Sequence, residues 1–547
     1  MADAHADKPV SPSFALLLFI FFFSVFSLTL EGLPTGGDAL GMFLVTNTLV
    51  EDGSFFLADS SQVVLRHGRD GKLVSKYGIG QSLAEIPAYL VARIAAARTN
   101  TIDPAFLLFF ITSFTSPLIC AALCGLFFLM CLRIWGDFKT ALALTFLLGL
   151  GTLVWPHSKT LFSEPLQTLC LAGGFYALIA YRESGGARRA FAAGFLLGLM
   201  AAAKPFLLLA AAPAAFYFLA SLRSRPRGER RAAAFAAFAA PFAFWIAVIL
   251  WYNWARFGGI FEFGYLGGAD RDGVHGFSVP LLVGLHGLLF SSGKGLLFFV
   301  PSLILLVFAW MPFAKKRPAL AWTVAATFVI MLFGYAKWNA WSGDFAWGPR
   351  FLLPAVPLLI LPLGALFDRA GFSRRLAGRA VIGAAFLISF LVQILGVSVS
   401  ASEYLIIANR ASPYNGFFNP ARVELRDNIL SEHYIPEYSQ LAGHYWLLKH
   451  IILNRGLSQG KLEAEMQKDF PWKGIASYAP PRGAAAAARL DTWWTRIGAF
   501  YPDAAGWTQK LALFFSIMLI ISGAALARAI NKLKDTCFHG DSASETR

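Results

Sequence analysis

Long apolar runs separated by short charged segments constrain this chain more than any other feature. Hydrophobic residues make up 57% of its 547 residues, and 52 of them are Phe. A bilayer span needs about 20 mostly apolar residues, and hydropathy indicates roughly twelve such segments. We therefore predict an all-α polytopic membrane protein. The predicted spans are residues 13–30, 105–132, 139–155, 160–181, 190–203, 205–222, 232–253, 295–313, 318–336, 351–367, 380–400 and 509–529.

Positive charge marks one side of the predicted bundle. Lys and Arg cluster in every second connection between spans, as the positive-inside bias requires, which places the N-terminus inside. The net charge of +15 is therefore explained by topology and by anionic lipid headgroups. Without a nucleic-acid-binding motif among these clusters, we expect no nucleic-acid partner.

Three long segments are predicted on the opposite side, where we expect large periplasmic loops. The first contains an expected amphipathic helix over 82–97, and the second an apolar stretch over 277–290 that is too short to span. In the third, the alanine-rich run 483–488 is interpreted as a linker. The three loops cover residues 31–104, 254–294 and 401–508.

The predicted domain organisation follows from these loops. Residues 1–400 form a transmembrane core, residues 401–508 form a loop or a small domain, and residues 509–547 form the last span with a cytoplasmic tail.

The first candidate site follows the first predicted span, at Gly36-Gly37-Asp38. Two glycines permit an unusual turn that would aim the Asp38 carboxylate into a cavity. Alternatively, Asp38 caps the helix that follows.

A second site lies in the tight turn that contains His157, Lys159 and Glu164. It brings together an imidazole, an ammonium and a carboxylate. Glu164 could simply begin the next helix, because carboxylates favour helix N-termini and Pro165 follows. His157 and Lys159 either face solvent or bind an anion.

Lys204 interrupts an otherwise apolar run. A cation at membrane depth costs about 2.5–3.5 kcal/mol on insertion scales, so it suggests a functional site. The alternative is that its side chain reaches the membrane interface. Because Pro205 disrupts a helix, we expect a short hairpin broken at this point.

Residues 337–354 combine three Trp residues with polar and charged groups. Tryptophans alone would indicate an interfacial belt. However, Arg350 offers a planar fork suited to phosphate oxygens, and aromatic and amide side chains suit sugar recognition. The candidates in this segment are Trp338, Asn339, Asp344, Trp347 and Arg350.

The segment from Trp251 to Tyr265 leads out of a predicted span. An aromatic anchor would account for its tryptophans but less well for Asn253, Arg256 and Tyr265, which we take as substrate-binding candidates. No zinc-type spacing, phosphate-cradling glycine loop or serine nucleophile elbow is present. We therefore predict no metal site and no obligatory cofactor, and leave assistance by a divalent metal open.

The order of these motifs resembles the GT-C superfamily of membrane glycosyltransferases. It is most similar to the branch with the protein O-mannosyltransferases and the lipid A aminoarabinose transferases, families 39 and 83, over about residues 13–400. Many relatives carry Asp-Glu at the first acidic site, whereas Ala39 follows Asp38 here. The motifs are Gly37-Asp38, Tyr77-Gly-Ile-Gly80, Ser158-Lys-Thr-Leu-Phe-Ser-Glu-Pro-Leu166, Asn253…Arg256-Phe-Gly…Gly264-Tyr265 and Trp347-Gly-Pro-Arg350-Phe-Leu-Leu-Pro354.

The resemblance implies a GT-C-like bundle that moves a monosaccharide from a polyprenyl-phosphate donor to a lipid, glycan or protein acceptor of the cell envelope. The site would face the periplasm in a bacterial inner membrane. Transfer would invert the anomeric centre, with Asp38 as general base and Glu164 orienting the acceptor or a cation. Phosphate binding would fall to Lys204 and Arg350, then Lys159 and His157. The substrate-binding set would be Tyr77, Asn253, Arg256, Tyr265, Trp338, Asn339, Asp344 and Trp347.

Two other functions remain open at this point. A transporter or flippase for an anionic lipid-linked substrate would account equally well for Lys204 and the broken helix, but less well for the large aromatic loops. An oligosaccharide ligase or polymerase would share the fold and differ in its donor.

Overall fold

The computed structural model is almost entirely helical. Its described residues form twenty-four α-helices and one small sheet, connected by turns and 3₁₀ segments. The described residues are 12–34, 36–60, 62–99, 102–225, 231–265, 276–367, 375–412, 431–501 and 504–542.

The described part of the first half contains eleven helices. They are α1 (Pro12–Leu28), α2 (Gly37–Glu51), α3 (Ile79–Ala96), α4 (Pro104–Ser113), α5 (Thr115–Trp135), α6 (Phe138–Leu150), α7 (Val154–His157), α8 (Glu164–Ser184), α9 (Ala187–Ala203), α10 (Leu208–Arg223) and α11 (Arg231–Phe257).

The second half contains thirteen. They are α12 (Leu281–Phe290), α13 (Leu296–Phe299), α14 (Leu306–Lys316), α15 (Pro318–Lys337), α16 (Val356–Ile360), α17 (Leu376–Ser398), α18 (Ala401–Ala411), α19 (Ser431–Tyr434), α20 (Gln440–Leu453), α21 (Gln459–Met466), α22 (Ala484–Ala487), α23 (Trp493–Phe500) and α24 (Ala505–Ser542).

The predicted polytopic α-helical fold is confirmed. Each predicted span overlaps one or more helices, although some extend beyond them, such as 160–181, whose helix α8 begins at Glu164. Among the described residues, seven helical segments are long and apolar enough to cross a membrane. The other predicted spans are helices that are shorter, such as α1 and α6, or less apolar, such as α8. The seven are Pro104–Trp135, Pro205–Arg223, Arg231–Phe257, Pro318–Lys337, Arg350–Phe367, Leu376–Ser398 and Ala505–Lys532.

The predicted break at Lys204 is present. Helix α9 ends at Ala203, Lys204 is extended (φ −146°, ψ 98°), and a 3₁₀ turn over Pro205–Leu207 leads into α10. Helix α9 packs closely between α8 and α11. A Cβ atom at Gly194 would lie 2.0 Å from the Phe238 carbonyl oxygen, so only glycine allows α9 and α11 to approach this closely.

The first predicted loop folds against the end of the bundle. It contains α2, then three short strands, then α3, which covers the expected amphipathic helix and begins three residues before it. The antiparallel strands have the order β1-β3-β2. Strands this short carry too little alternation to be recognised from sequence. They are β1 (Phe56–Leu57), β2 (Leu65–His67) and β3 (Leu73–Ser75).

The third predicted loop, in its described part, is helical and has its own core. Tyr438 and Trp472 stack at 4.6 Å between ring centroids, and both are fully buried. The expected linker over 483–488 is instead largely a buried turn of helix, α22. The Glu463 carboxylate accepts hydrogen bonds from the backbone of Gly483 and Ala485, which fixes the alanine run on this core.

Candidate functional site

A cavity of about 900 Å³ opens at the end of the bundle where the first and third predicted loops lie. Its walls come from α2 and the sheet, the turn before α8, the connection between α15 and Arg350, and α18. The predicted site residues that line it are Asp38, His157, Lys159, Asn339, Asp344, Trp347 and Arg350.

Asp38 lies in the first turn of α2 but does not cap it, since no side-chain cap is present at this helix end. Arg350 Nη2 donates to Asp38 Oδ2 at 2.6 Å, and the Tyr77 hydroxyl donates to Oδ1. Burial alone would raise the pKa of Asp38, yet Arg350, Tyr77 and Lys76 together lower that pKa to about 2. Asp38 is therefore an ionised carboxylate facing the cavity.

Arg350 is the centre of the charged cluster, and its side chain is only 3% exposed. Besides Asp38, Asp344 lies 3.8 Å and Glu164 3.9 Å from its guanidinium nitrogens. The ring of Phe162 covers one face at 4.5 Å. Glu164 does begin α8, as the alternative predicted, but its carboxylate also points to Arg350. Three carboxylates thus surround one guanidinium, so Arg350 is largely neutralised.

Two ammonium groups near this cluster are not neutralised by direct partners. Lys204 Nζ and Lys76 Nζ lie 5.7 and 5.8 Å from the ring centre of Tyr265. In the described part of the chain neither ammonium makes a hydrogen bond or an ion pair. The Tyr265 hydroxyl is buried without a hydrogen-bond partner there, and burial raises its pKa to about 12. Lys204 Nζ also lies 4.8 Å from the ring centre of Phe351. Both ammonium groups thus contact aromatic rings around Tyr265, and of the two residues Lys76 lines the cavity.

Lys76 is not among the predicted site residues, although it lies one residue before the Tyr77-Gly-Ile-Gly80 turn. The glycines of that turn pack on the C-terminal end of α9. A Cβ atom at Gly78 would lie 2.3 Å from the Ala202 carbonyl oxygen, and one at Gly80 would lie 2.5 Å from the Ala203 nitrogen. This close approach brings Lys76 to the level of Lys204.

Asn253 and Arg256 do not line the cavity, in contrast to their predicted substrate contacts. Arg256 Nη1 donates to the carbonyl oxygens of Ser75 and Tyr77, and its Nη2 donates to Asn253 Oδ1. Arg256 is 2% exposed. A buried guanidinium needs this many acceptors, so the pair holds the strand that presents Lys76 and Tyr77.

His157 and Lys159 line the cavity, but both make specific contacts within the protein. His157 Nε2 lies 3.0 Å from the Trp347 carbonyl oxygen, and burial with the nearby Arg350 charge lowers its pKa to about 3. His157 is therefore neutral. Lys159 Nζ donates to Asp491 at 2.8 Å and to the Val397 carbonyl oxygen at 2.7 Å. Both residues are less available to a phosphate than Lys76 and Lys204.

The tryptophans of the 337–354 segment differ in position. Trp338 packs on Phe277 and Tyr265 outside the cavity. Trp347 lines the cavity and its Nε1 donates to Gln393 Oε1 at 3.3 Å. Asp344, whose side chain is 58% exposed, projects from the same connection beside Arg350. The 337–354 segment thus contributes polar residues to the cavity wall and is not only an interfacial belt.

Metal-ligating groups are not assembled here. Within the described ranges, no set of three or more His, Cys, Asp or Glu side chains has an arrangement that could hold a metal ion. The carboxylates near the cavity face cationic side chains instead.

The chain is similar in structure to solved proteins, one of which is described here. No protein-family model and no curated protein matches this chain. A crystal structure of ArnT from Cupriavidus metallidurans bound to undecaprenyl phosphate is similar over 79% of this chain and 74% of that chain, with a TM-score of 0.43 and 12% sequence identity.

Proposed function

We propose that the protein is a membrane glycosyltransferase. It moves a hexose or pentose from a polyprenyl-phosphate donor to a cell-envelope acceptor at the periplasmic face. The observation that carries this proposal is one cluster at the cavity. The ionised Asp38 carboxylate, bound to Arg350 and Tyr77, lies near the two unpartnered ammonium groups of Lys76 and Lys204.

The donor phosphate binds the two ammonium groups. A cationic site at the end of apolar helices suits a lipid carrier, because the isoprenoid tail stays in the membrane while the phosphate reaches the ammonium groups of Lys76 and Lys204. As the glycosidic bond breaks, negative charge develops on the departing phosphate, and fixed cations stabilise that charge. Arg350 acts mainly through Asp38, which it holds at 2.6 Å.

Asp38 receives the acceptor proton. The acceptor oxygen bonds to the anomeric carbon from the face opposite the phosphate, so the anomeric centre inverts. The oxygen becomes strongly acidic as this bond forms, and an ionised carboxylate of low pKa can then take its proton. Glu164 and Asp344 lie around Arg350 and orient it and the acceptor hydroxyl. Asn339 and Trp347 complete the cavity wall.

A product assay tests the proposal. Purified protein in proteoliposomes receives a panel of radiolabelled polyprenyl-phosphate sugars, including one that the host is known to make, with a membrane extract as acceptor. Label should enter a new product, and Asp38→Asn should block this transfer while Asp52→Asn, at the exposed far end of α2, should not.

Two other outcomes of this assay would indicate a different function. If no label is transferred but the lipid-linked sugar crosses the bilayer, the protein is a transporter and the transferase proposal is wrong. If only donors with long glycan chains are used, it is a ligase.

A further inference from the structure

The cavity wall that carries Asp344 has an unusual backbone. Asp344 has a positive φ of 54°, between Gly343 at 74° and, four residues later, Gly348 at 58°. A non-glycine residue in the left-handed region is disfavoured and persists only where its surroundings hold it. We refer to residues 343–348 as the Asp344 turn.

Lys294 holds the Asp344 turn from behind. It lies between α12 and α13 and is completely buried. Its ammonium donates to the carbonyl oxygen of Asp344 at 2.9 Å and to that of Ala346 at 2.6 Å. A buried ammonium needs acceptors, and these two hydrogen bonds tie it to the backbone of the turn. The backbone of the turn is thereby fixed at two points.

Gln440, from α20, binds the same turn at the Ala346 carbonyl oxygen and at one further point. Its Nε2 donates to the Ala346 carbonyl oxygen at 2.8 Å, and its Oε1 accepts from the Gly348 backbone nitrogen at 2.9 Å. Gln440 is also fully buried. The Ala346 carbonyl oxygen thus accepts from both side chains, and they act on one backbone segment.

Fixing the turn also fixes the position of the Asp344 carboxylate. It projects into the cavity beside Arg350, 3.8 Å from Nη2, while Lys294 does not line the cavity. We propose that Lys294 is a positioning residue, which holds the Asp344 turn so that the Asp344 carboxylate contacts the substrate. This inference rests on the proposed glycosyl transfer, because that function gives Asp344 its substrate.

Transfer kinetics test the role in catalysis. Lys294→Met should lower kcat at least tenfold and leave the affinity for polyprenyl phosphate unchanged, while Lys337→Met, at the end of α15, should behave like wild type. In the Asp344→Ala background, Lys294→Met should change kcat less than twofold, because residues that act through one another are not additive. An equal loss in both backgrounds would overturn the inference.

Hydrogen exchange tests the turn itself, whatever the reaction. Backbone amides of 343–348 should exchange faster in Lys294→Met and in Gln440→Met than in wild type, at an unchanged unfolding midpoint. Unchanged exchange in both variants would overturn the inference even if transfer is observed. If exchange is faster in these variants but the wild-type protein transfers no sugar, Lys294 still holds the turn and the proposed function is rejected. If Lys294→Met fails to fold, Gln440→Met decides.

Discussion

Asp38 is the residue on which the proposed chemistry depends. Its two carboxylate oxygens have different donors, Tyr77 on Oδ1 and Arg350 on Oδ2. We expect Asp38→Asn to lower transfer by about 10²–10⁴-fold, the usual contribution of a positioned base. The measurement is the initial rate of label transfer at saturating donor.

Two variants make this test specific. Asp38→Asn leaves Arg350 without its nearest counter-charge, so thermal unfolding must first establish that the variant folds. Asp38→Glu keeps the charge and should retain the fold with reduced activity. A rate for Asp38→Asn above one tenth of wild type would reject its assignment as base.

Lys76 and Lys204 are expected to bind the donor phosphate. Hydrogen bonds to charged groups contribute about 1.5–3 kcal/mol each, so Lys76→Met and Lys204→Met should each weaken polyprenyl-phosphate binding about tenfold to a hundredfold. Competition binding with a labelled polyprenyl phosphate measures this. Lys72→Met, at the exposed residue just before β3, should bind like wild type. Equal binding by all three variants would contradict the proposed phosphate site.

At the scale of elements, α2 and α3 share a buried carboxyl group behind the Asp38 site. Glu85 of α3 accepts from Thr46 Oγ1 at 2.7 Å and from Gln81 Nε2 at 2.9 Å. It is fully buried, and burial raises its pKa to about 8 although both hydrogen bonds lower it. The folded protein therefore binds a proton that the unfolded chain, with an ordinary pKa of 4.5, releases.

This shift predicts a pH-dependent stability. The contribution of protonated Glu85 is fully present below about pH 4.5 and is lost as the pH rises through about 8. The unfolding midpoint should therefore fall between pH 5 and pH 8, and Glu85→Gln, which stays neutral, should flatten that fall. Thermal unfolding in detergent at several pH values measures this. Glu465→Gln, on exposed α21, should keep the wild-type slope, and a wild-type slope in Glu85→Gln as well would reject the prediction.

At the scale of the whole molecule, a buried ion network joins the two outer regions to the bundle. Asp491 pairs with Lys159 at 2.8 Å and with Arg496. Arg496 also contacts Glu31 at 3.1 Å and Glu403 at 2.7 Å. Burial opposes ionisation of Asp491, but Lys159 and Arg496 hold its pKa below the ordinary value. One guanidinium thus connects three carboxylates from distant parts of the chain.

Breaking this network should destabilise the assembly of the outer regions. Arg496→Met leaves Asp491 with only one cation and Glu31 buried without its guanidinium, and removing one partner of a buried pair costs about 3–5 kcal/mol. We expect a lower unfolding midpoint and earlier protease cleavage within 401–501. Lys449→Met, which breaks an exposed pair with Asp469, should leave both unchanged. An unaltered midpoint in Arg496→Met would contradict this account.

The membrane-spanning helices and the break at Lys204 could be predicted from the sequence, because both depend on consecutive residues. About 20 consecutive apolar side chains indicate a membrane span, and a proline disrupts a helix, whatever the rest of the fold is. The same is true of the acidic and basic residues at the ends of the spans, and Asp38 and Arg350 do meet at the cavity.

Only the tertiary structure decided which of those charged groups are available to bind a ligand. Lys159 and Arg256 look like exposed binding groups in the sequence, yet one pairs with Asp491, 332 residues away, and the other binds backbone oxygens of a strand 181 and 179 residues away. Lys76 and Lys294 gave no sequence signal that we recognised. The physical reason is that the state of a charge depends on its burial and partners, and long-range packing determines both, whereas the apolar length of a span is local.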